Sequence, residues 1–269
     1  MFEINKKLIT DFHNKLFSWF KEYKKDYPWR HTTDPYRIMV SEFMLQQTQT
    51  TRVIPKYNAF IDKFPTLEAL AKSENIDVLQ LWSGLGYNRR ALWLKEAANQ
   101  ILSLGSFPKS YQTLKKIKGI GDYTSRAILI FAFNEDLATV DTNIRRIFIH
   151  EGFATQETKD SELFTIAEQL LPKGQSREYH SALMDYGNEV LTSIKTKIKP
   201  KTTQSKFTGS TRQYRGKIIK YLSHTNQSAT KQDLQDHCQI SDEFIETILG
   251  KLEKDQLIKK DSKNNYSII

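Results

Sequence analysis

The chain has 269 residues, 39% hydrophobic and 26% charged, which suits one large or two medium globular domains and excludes a disordered or fibrous chain. No run of about 18 apolar residues occurs and MFEINKKLITDF lacks a long apolar core, so neither a membrane span nor a secretory signal is expected. A single cysteine, Cys238, excludes a disulfide framework or four-cysteine metal site, whereas a formal net charge of +9 points to a polyanionic partner, nucleic acid or an anionic membrane surface.

Leu8, Phe12, Leu16 and Phe20 fall four apart, with Trp19 and Tyr23 alongside, and predict an amphipathic first helix. The Pro-punctuated loop YPWRHTTDPYR leads into a helix from about Tyr36 to Gln49. Further helices are expected at about 51–63, 67–72, 76–82, 87–104, 110–116, 121–133, 141–150, 160–171 and 176–193. Pro65, Gly84, Gly86, Pro108, Gly119, Gly121, Gly152 and Gly174 mark the breaks between them. No strand is expected before residue 200. Residues 195–211 are basic and hydroxyl-rich, and read as a linker. RQYRGKIIKYLSHTN, ATKQDLQDHC and SDEFIETILGKLEKDQL, the last capped by Ser241, then predict three helices, and LIKKDSKNNYSII a short hairpin around Lys263-Asn264-Asn265. Three helices and a terminal hairpin are the winged-helix pattern. Its third helix either lies in a DNA major groove or serves packing, and Ser241–Gln256 is acidic for a groove reader.

Three stretches carry candidate chemistry. In MVSEFMLQQTQTT, Glu42 has Ile38, Met39, Leu45 and Gln46 at three and four residues' distance, a setting that predicts burial. Desolvation favours the protonated form of such a carboxyl. In LKKIKGIGDYTSRAI, Gly119 and Gly121 precede a helix. They make either a plain turn or an exposed row of backbone N–H groups that meets a phosphate without reading sequence. In LATVDTNIRRIF, Asp141 stands at a helix N-cap, which leaves its second oxygen for a cleft. GLGY reads as a glycine-rich turn with a packed tyrosine, or as a wedge aimed between bases.

YPWR, DPYRIMVSEFMLQQTQ, FPTLEALA, LWSGLGYNRRALWL, IKGIGDYTSRAI and VDTNIRRI occur in that order over roughly residues 10–190. In this set the chain resembles the helix–hairpin–helix DNA glycosylases, and most closely the MutY-type adenine glycosylases. SEFMLQQTQ together with GLGYNRR is specific to that branch; thymine–guanine mismatch glycosylases share the Glu, the Tyr after the hairpin and the Asp, but not usually the Gln-Gln-Thr-Gln run. The resemblance implies an all-α, bilobal helix–hairpin–helix glycosylase fold over residues 1–194 with a cleft between its lobes, a basic linker at 195–211, and a winged-helix (α+β) module at 212–269. It implies a monofunctional glycosylase that flips out and excises adenine mispaired with 8-oxoguanine or guanine, in base excision repair. Glu42 matches the general acid for adenine N7, Asp141 the carboxylate that faces the sugar, and Asn143 its neighbour. Trp29, Arg30 and Leu45 match positions lining the adenine pocket, and Asp185 an acid near the base. Gln47 and Tyr87 match residues that push into the duplex, Thr48 lies by the opposing base, and Arg89, Gly119 and Gly121 contact DNA. The carbonyls of Lys115, Ile117 and Ile120 match hairpin positions that hold a monovalent cation, Na+ or K+.

The chemistry gives these types a reason. Protonation at N7 turns a poor purine leaving group into a neutral one. An ionised Asp141, held deprotonated by the helix dipole, stabilises an oxocarbenium-like sugar. Flipping costs a few kcal/mol, and Gln47 fills the gap that it leaves. Tyr123 stands where lyase-competent relatives have lysine, so no Schiff base forms and an abasic site is the product. Three departures stand out. Most relatives carry four cysteines after residue 190 for an iron–sulfur cluster; EVLTSIKTKIKPKTTQSKF has none, so no cofactor is expected and the basic segment takes over phosphate contact. The usual domain that inspects 8-oxoguanine is replaced by residues 212–269, and Thr142 replaces the glycine of VDGN. The expected partner is double-stranded DNA with a mispair, bound by a monomer without a membrane, in the cytoplasm at the nucleoid. A thymine or uracil mismatch glycosylase acting opposite guanine, and a non-catalytic DNA-binding protein, are the competing readings.

Overall fold

The computed structural model describes residues 3–199 and 206–269. Its helices are α1 (Lys6–Tyr23), α2 (Pro35–Leu45), α3 (Thr50–Lys63), α4 (Leu67–Ala71), α5 (Asn75–Trp82), α6 (Arg89–Ser103), α7 (Tyr111–Lys116), α8 (Asp122–Phe133), α9 (Thr142–His150), α10 (Asp160–Gln169), α11 (Ser176–Glu189), α12 (Ser193–Thr196), α13 (Thr211–Thr225), α14 (Lys231–Cys238) and α15 (Asp242–Lys254). Among the described residues the named strands are β1 (Ile258–Lys260) and β2 (Tyr266–Ile268), so the helical expectation holds. No helix of the described residues is long and apolar enough to cross a membrane. Two compact units are built from the described parts of Met1–Met39, Lys109–Lys116 and Ile120–Thr203, and of Val40–Pro108, Ile117–Gly119 and Gln204–Ile269.

The first unit has its core where the four-residue stripe of α1 meets α9, α10 and α11. Phe12, Leu16 and Phe20 pack there with Ile144, Phe148, Leu163, Tyr179 and Leu183. Leu8, at the head of the stripe, is 56% exposed instead. Packing of α9 against α11 depends on Gly187, whose missing side chain leaves room for Asn143. A one-turn 3-10 helix, Pro28–Arg30, interrupts the loop after α1. The predicted linker begins with α12, which ends on left-handed Lys197 (φ 58°). Residues 200–205 of that linker lie outside the described residues.

The second unit combines α3 to α6 with the C-terminal segment. Phe60, Val78, Trp82 and Leu94 are fully buried in the former, and Ile218, Ile245, Ile248 and Leu252 in the latter. Helix α13 packs on α5. The Gln80 side chain donates to the Ser223 carbonyl, and Asn75 Nδ2 to the Ile269 carbonyl at 2.8 Å. Strands β1 and β2 pair antiparallel, Ile258 with Ile268 and Lys260 with Tyr266, and a single bridge ties Ala229 to Tyr266. The three predicted helices and the hairpin are therefore all present. Ser241 occupies the α15 N-cap position without a side-chain cap hydrogen bond, contrary to expectation.

Candidate active site

In the first unit the site is organised by the start of α9. Asp141 is its N-cap, as predicted: Oδ1 accepts the Ile144 N–H at 2.7 Å. Oδ2 accepts from Asn143 Nδ2 at 3.3 Å, and Asn143 Oδ1 accepts from Arg146 at 2.6 Å. Arg146 donates in turn to the Gly187 carbonyl at 2.8 Å and to the Leu191 carbonyl. One hydrogen-bond chain thus couples the carboxylate to α11. Burial pushes the Asp141 carboxyl above its ordinary value, and it outweighs the N–H groups of Ile144 and Asn143 and the charge of Arg146, which pull the other way. The helix N-terminus thus favours the ionised form, as expected, but burial opposes it with the larger effect. In a desolvated setting the carboxylate holds a proton more tightly, and it also attracts a developing cation more strongly.

Arg30 and Asp185, 155 residues apart, form a two-pronged ion pair at 2.6 and 2.7 Å. Asp185 also accepts the Lys25 N–H at 2.9 Å and is only 2% exposed. The guanidinium lies 4.8 Å from the Tyr27 ring centroid, and Tyr27 stacks on Trp29 at 5.2 Å. The pair therefore anchors the 3-10 turn that carries Trp29. Tyr123 is half-buried in the first turn of α8. Its neighbour Asp122 is pushed up by burial but held below the usual carboxylate range overall by the Tyr111 hydroxyl, Arg126 and Lys115.

In the second unit Glu42 is 7% exposed, beside fully buried Val40, Phe43 and Met44. The predicted burial is present. Helix α2 stops at Leu45, four residues before the expected end, because Gln47 takes a left-handed φ of 55°. Tyr87 is left-handed too, at φ 47°, between Gly86 and Asn88. Both are large, exposed residues in a costly backbone region. The turns are joined by Arg90, which sequence reading did not single out. It donates to the carbonyls of Phe43 and Gly86, the latter at 3.2 Å, and to Thr48 Oγ1 at 3.4 Å. Burial lowers the Arg90 guanidinium to about 10, so it stays charged at neutral pH. Thr48 is committed to this clamp and donates to the Leu85 carbonyl at 3.3 Å. Arg89 pairs with Asp255 at 2.9 Å and lies 5.1 Å from the Trp93 ring centroid. The only clue to the Arg90 clamp was a second arginine in GLGYNRR; nothing local gives its partners.

At the hairpin, Gly119 is required twice. Its φ is +86°, and an added Cβ would lie 2.8 Å from Trp93 Cβ. Gly121 instead caps α8 with φ −87° and open space around it, which corrects the idea that both glycines make the tight turn. Ile117 and Ile120 bury their side chains. Among the described residues no group of three or more His, Cys, Asp or Glu side chains is placed to hold a metal ion. Cys238 is buried and burial pushes its thiol up, consistent with a small hydrophobe.

Comparison with known proteins follows the same residues. A family model described as HhH-GPD superfamily base excision DNA repair protein matches residues 40–173. An adenine DNA glycosylase of Mycolicibacterium smegmatis is 33% identical over 243 residues, covering 82% of this chain and 83% of that protein. The human adenine DNA glycosylase is 35% identical over 199 residues, 68% of this chain and 36% of its own length. That of Buchnera aphidicola subsp. Baizongia pistaciae is 36% identical over 181 residues, 65% of this chain and 52% of its own length. The chain thus spans about half or less of these last two. Among solved structures, a thermostable thymine-DNA glycosylase matches with a TM-score of 0.64 and 28% identity, over 72% of this chain and 91% of that one. A non-covalent endonuclease III–DNA complex matches at a TM-score of 0.63 and 16% identity, over 74% of this chain and 91% of that one, a likeness of fold alone.

Proposed function

The chain belongs to the HhH-GPD superfamily of base excision DNA repair proteins, on its MutY-type branch, and is a DNA glycosylase acting on adenine; from this premise we propose that its substrate is adenine paired with 8-oxoguanine or guanine in duplex DNA and that its product is an abasic site. Residues 1–194 are the glycosylase domain, 195–211 a basic linker and 212–269 a winged-helix-like module, and the enzyme works as a monomer.

The observation that carries the reading is the setting of Asp141, fixed by Ile144 and Asn143 and desolvated. Gln47 and Tyr87 enter the duplex and hold its gap while the adenine is flipped out. Trp29 offers a stacking face to the base, and the Arg30–Asp185 pair fixes its turn; Leu45 is a further base contact. Glu42 gives its proton to N7. As the C1′–N9 bond breaks, its electron pair goes to the base, which leaves neutral. Asp141, ionised, stabilises the positive charge that grows on the sugar, and Asn143 keeps its carboxylate oriented. Water adds to C1′ and releases a proton. Tyr123 has no amine to attack the sugar, so the strand is not cut. The carbonyls of Lys115, Ile117 and Ile120 are neutral hard oxygen donors that suit Na+ or K+, which would brace the hairpin and face a phosphate. No step of the reaction passes through that ion.

The test is a single-turnover panel of adenine opposite 8-oxoguanine, adenine opposite guanine, thymine opposite guanine and uracil opposite guanine, with alkali to reveal abasic sites. Release from the two adenine duplexes alone is expected. Asp141→Asn and Glu42→Gln should bind the mispair yet free no base. Release from the thymine duplex alone would overturn the substrate, and normal excision by Asp141→Asn would overturn the mechanism.

A further inference from the structure

In the first unit the chain reaches Asp141 through buried backbone, with Ala138 4% and Thr139 2% exposed. The buried Thr139 hydroxyl meets no hydrogen-bond partner among the described residues, so it does not anchor this stretch. An anchor comes from α8 instead. Arg126 donates from one terminal nitrogen to the Ala138 carbonyl at 3.2 Å. Its Nε donates to Asp122 Oδ2, also at 3.2 Å. The guanidinium lies 4.8 Å from the Tyr111 ring centroid and 5.1 Å from that of Phe164. One planar group therefore ties α7, α8 and α10 to the segment that delivers Asp141.

Asp122 and Arg126 stand four apart on α8, a spacing that by itself stabilises an exposed helix only slightly. The pair gains a second use from its neighbours. Asp122 Oδ1 accepts from the Tyr111 hydroxyl and pairs with Lys115 at 3.6 Å, which leaves Oδ2 for Arg126. The guanidinium is thus gripped on its Nε edge and keeps a terminal nitrogen for Ala138. Arginine suits this task because its donors are fixed in one plane, whereas a lysine ammonium is a single point of charge. Tyr123 lies between Asp122 and Arg126 in the first turn of α8. The Arg126–Ala138 bond therefore fixes the Tyr123 turn against the lead-in to Asp141.

We propose that Arg126 is a positioning residue for base excision: it holds the Tyr123 turn and the Asp141 lead-in at the separation that the flipped nucleoside needs, with Asp122 as its counter-ion. The inference rests on the reading that Tyr123 and Asp141 line one pocket. It assigns to the Asp122–Arg126 pair a task in the reaction rather than in helix stability alone.

The experiment measures single-turnover adenine release by the full chain, opposite 8-oxoguanine, with enzyme raised to saturation. Arg126→Gln and Arg126→Lys should each lower the maximal rate about tenfold, the order expected when a reacting group shifts by a fraction of an ångström. The lysine variant keeps the charge and so separates guanidinium geometry from electrostatics. A cavity of about 290 Å³ borders both Arg126 and Ala138, which gives a small planar cation access to the place of a truncated side chain. Guanidinium ion, well below denaturing concentrations, should therefore restore part of the rate of Arg126→Ala and leave wild type unchanged. A full maximal rate in Arg126→Lys would overturn the proposal, as would a defect confined to the enzyme concentration needed for saturation. So would a loss in Arg126→Ala that guanidinium does not reverse, or one that tracks the unfolded fraction in urea, because a merely structural role predicts both. Failure of wild type to release adenine from any duplex would instead sink the substrate assignment, and this inference with it.

Discussion

Gly187 sits where α11 crosses α9, and Gly187→Ala tests whether that contact sets the position of Asp141, the aspartate proposed to face the sugar. An alanine Cβ there would lie 2.9 Å from Asn143 Cβ and 3.4 Å from Ile147 Cδ1. Asn143 Cβ is fixed to the α9 backbone and cannot swing aside, so reaching ordinary contact at 3.4 Å moves α9 by about half an ångström. The moving turn holds Asp141 through Asn143 and the Ile144 N–H. A misplacement of about 1 Å costs roughly 10²-fold in rate, so half of that predicts about a tenfold loss. Overpacking costs about 1–3 kcal/mol, and replacing a helical glycine by alanine returns about 1 kcal/mol, which leaves a net destabilisation of about 0–2 kcal/mol. Single-turnover adenine release with enzyme in excess, beside urea unfolding, separates the two effects. Gly250→Ala is the control, since its Cβ meets nothing within 4 Å in α15. It should add about 0.5–1 kcal/mol of stability and leave the rate alone. Wild-type turnover by Gly187→Ala would refute the argument, as would a rate loss that merely tracks the unfolded fraction.

Burial raises the Asp141 carboxyl, so its ionised form, which the proposed mechanism needs, is lost at a higher pH than the ordinary 3.8, and the acid limb of the single-turnover rate should lie above that value; a rate that held down to the ordinary value would contradict an ionised, desolvated Asp141. His180 is buried against the Ser176 carbonyl and burial lowers its pKa from 6.5 to about 4. The unfolded chain therefore binds a proton that the folded chain refuses between those values, so stability is full above pH 6.5 and falls as the pH drops toward 4, by about 3 kcal/mol from this group. Urea titrations across that range should show the slope in wild type and a flatter curve in His180→Leu; equal slopes would assign the acid lability to other groups.

Where a structural feature follows from neighbours a few residues away, the sequence is enough to see it. The α1 stripe, the burial of Glu42 and the N-cap role of Asp141 all come from side chains within four positions, since a helix turn brings those together whatever surrounds it. The same holds for the three C-terminal helices and their hairpin. Leu8 shows the limit: it obeys the stripe yet stays exposed, although Ile4 before it and Phe12 after it are buried in the same core. The left-handed backbone of Gln47 and Tyr87 was not legible either, as no local pattern demands φ > 0 of a glutamine or a tyrosine. That conformation stands with the Arg90 clamp, whose acceptors come from two separate turns. The Arg30–Asp185 pair spans 155 residues, and Asp255 meets Arg89 from 166 residues away. Most telling is Asp141, whose place was evident from its helix but whose hold on a proton was not. Local hydrogen bonds depend on chain neighbours, whereas desolvation depends on every segment packed around the carboxyl, and only the folded chain decides which segments those are.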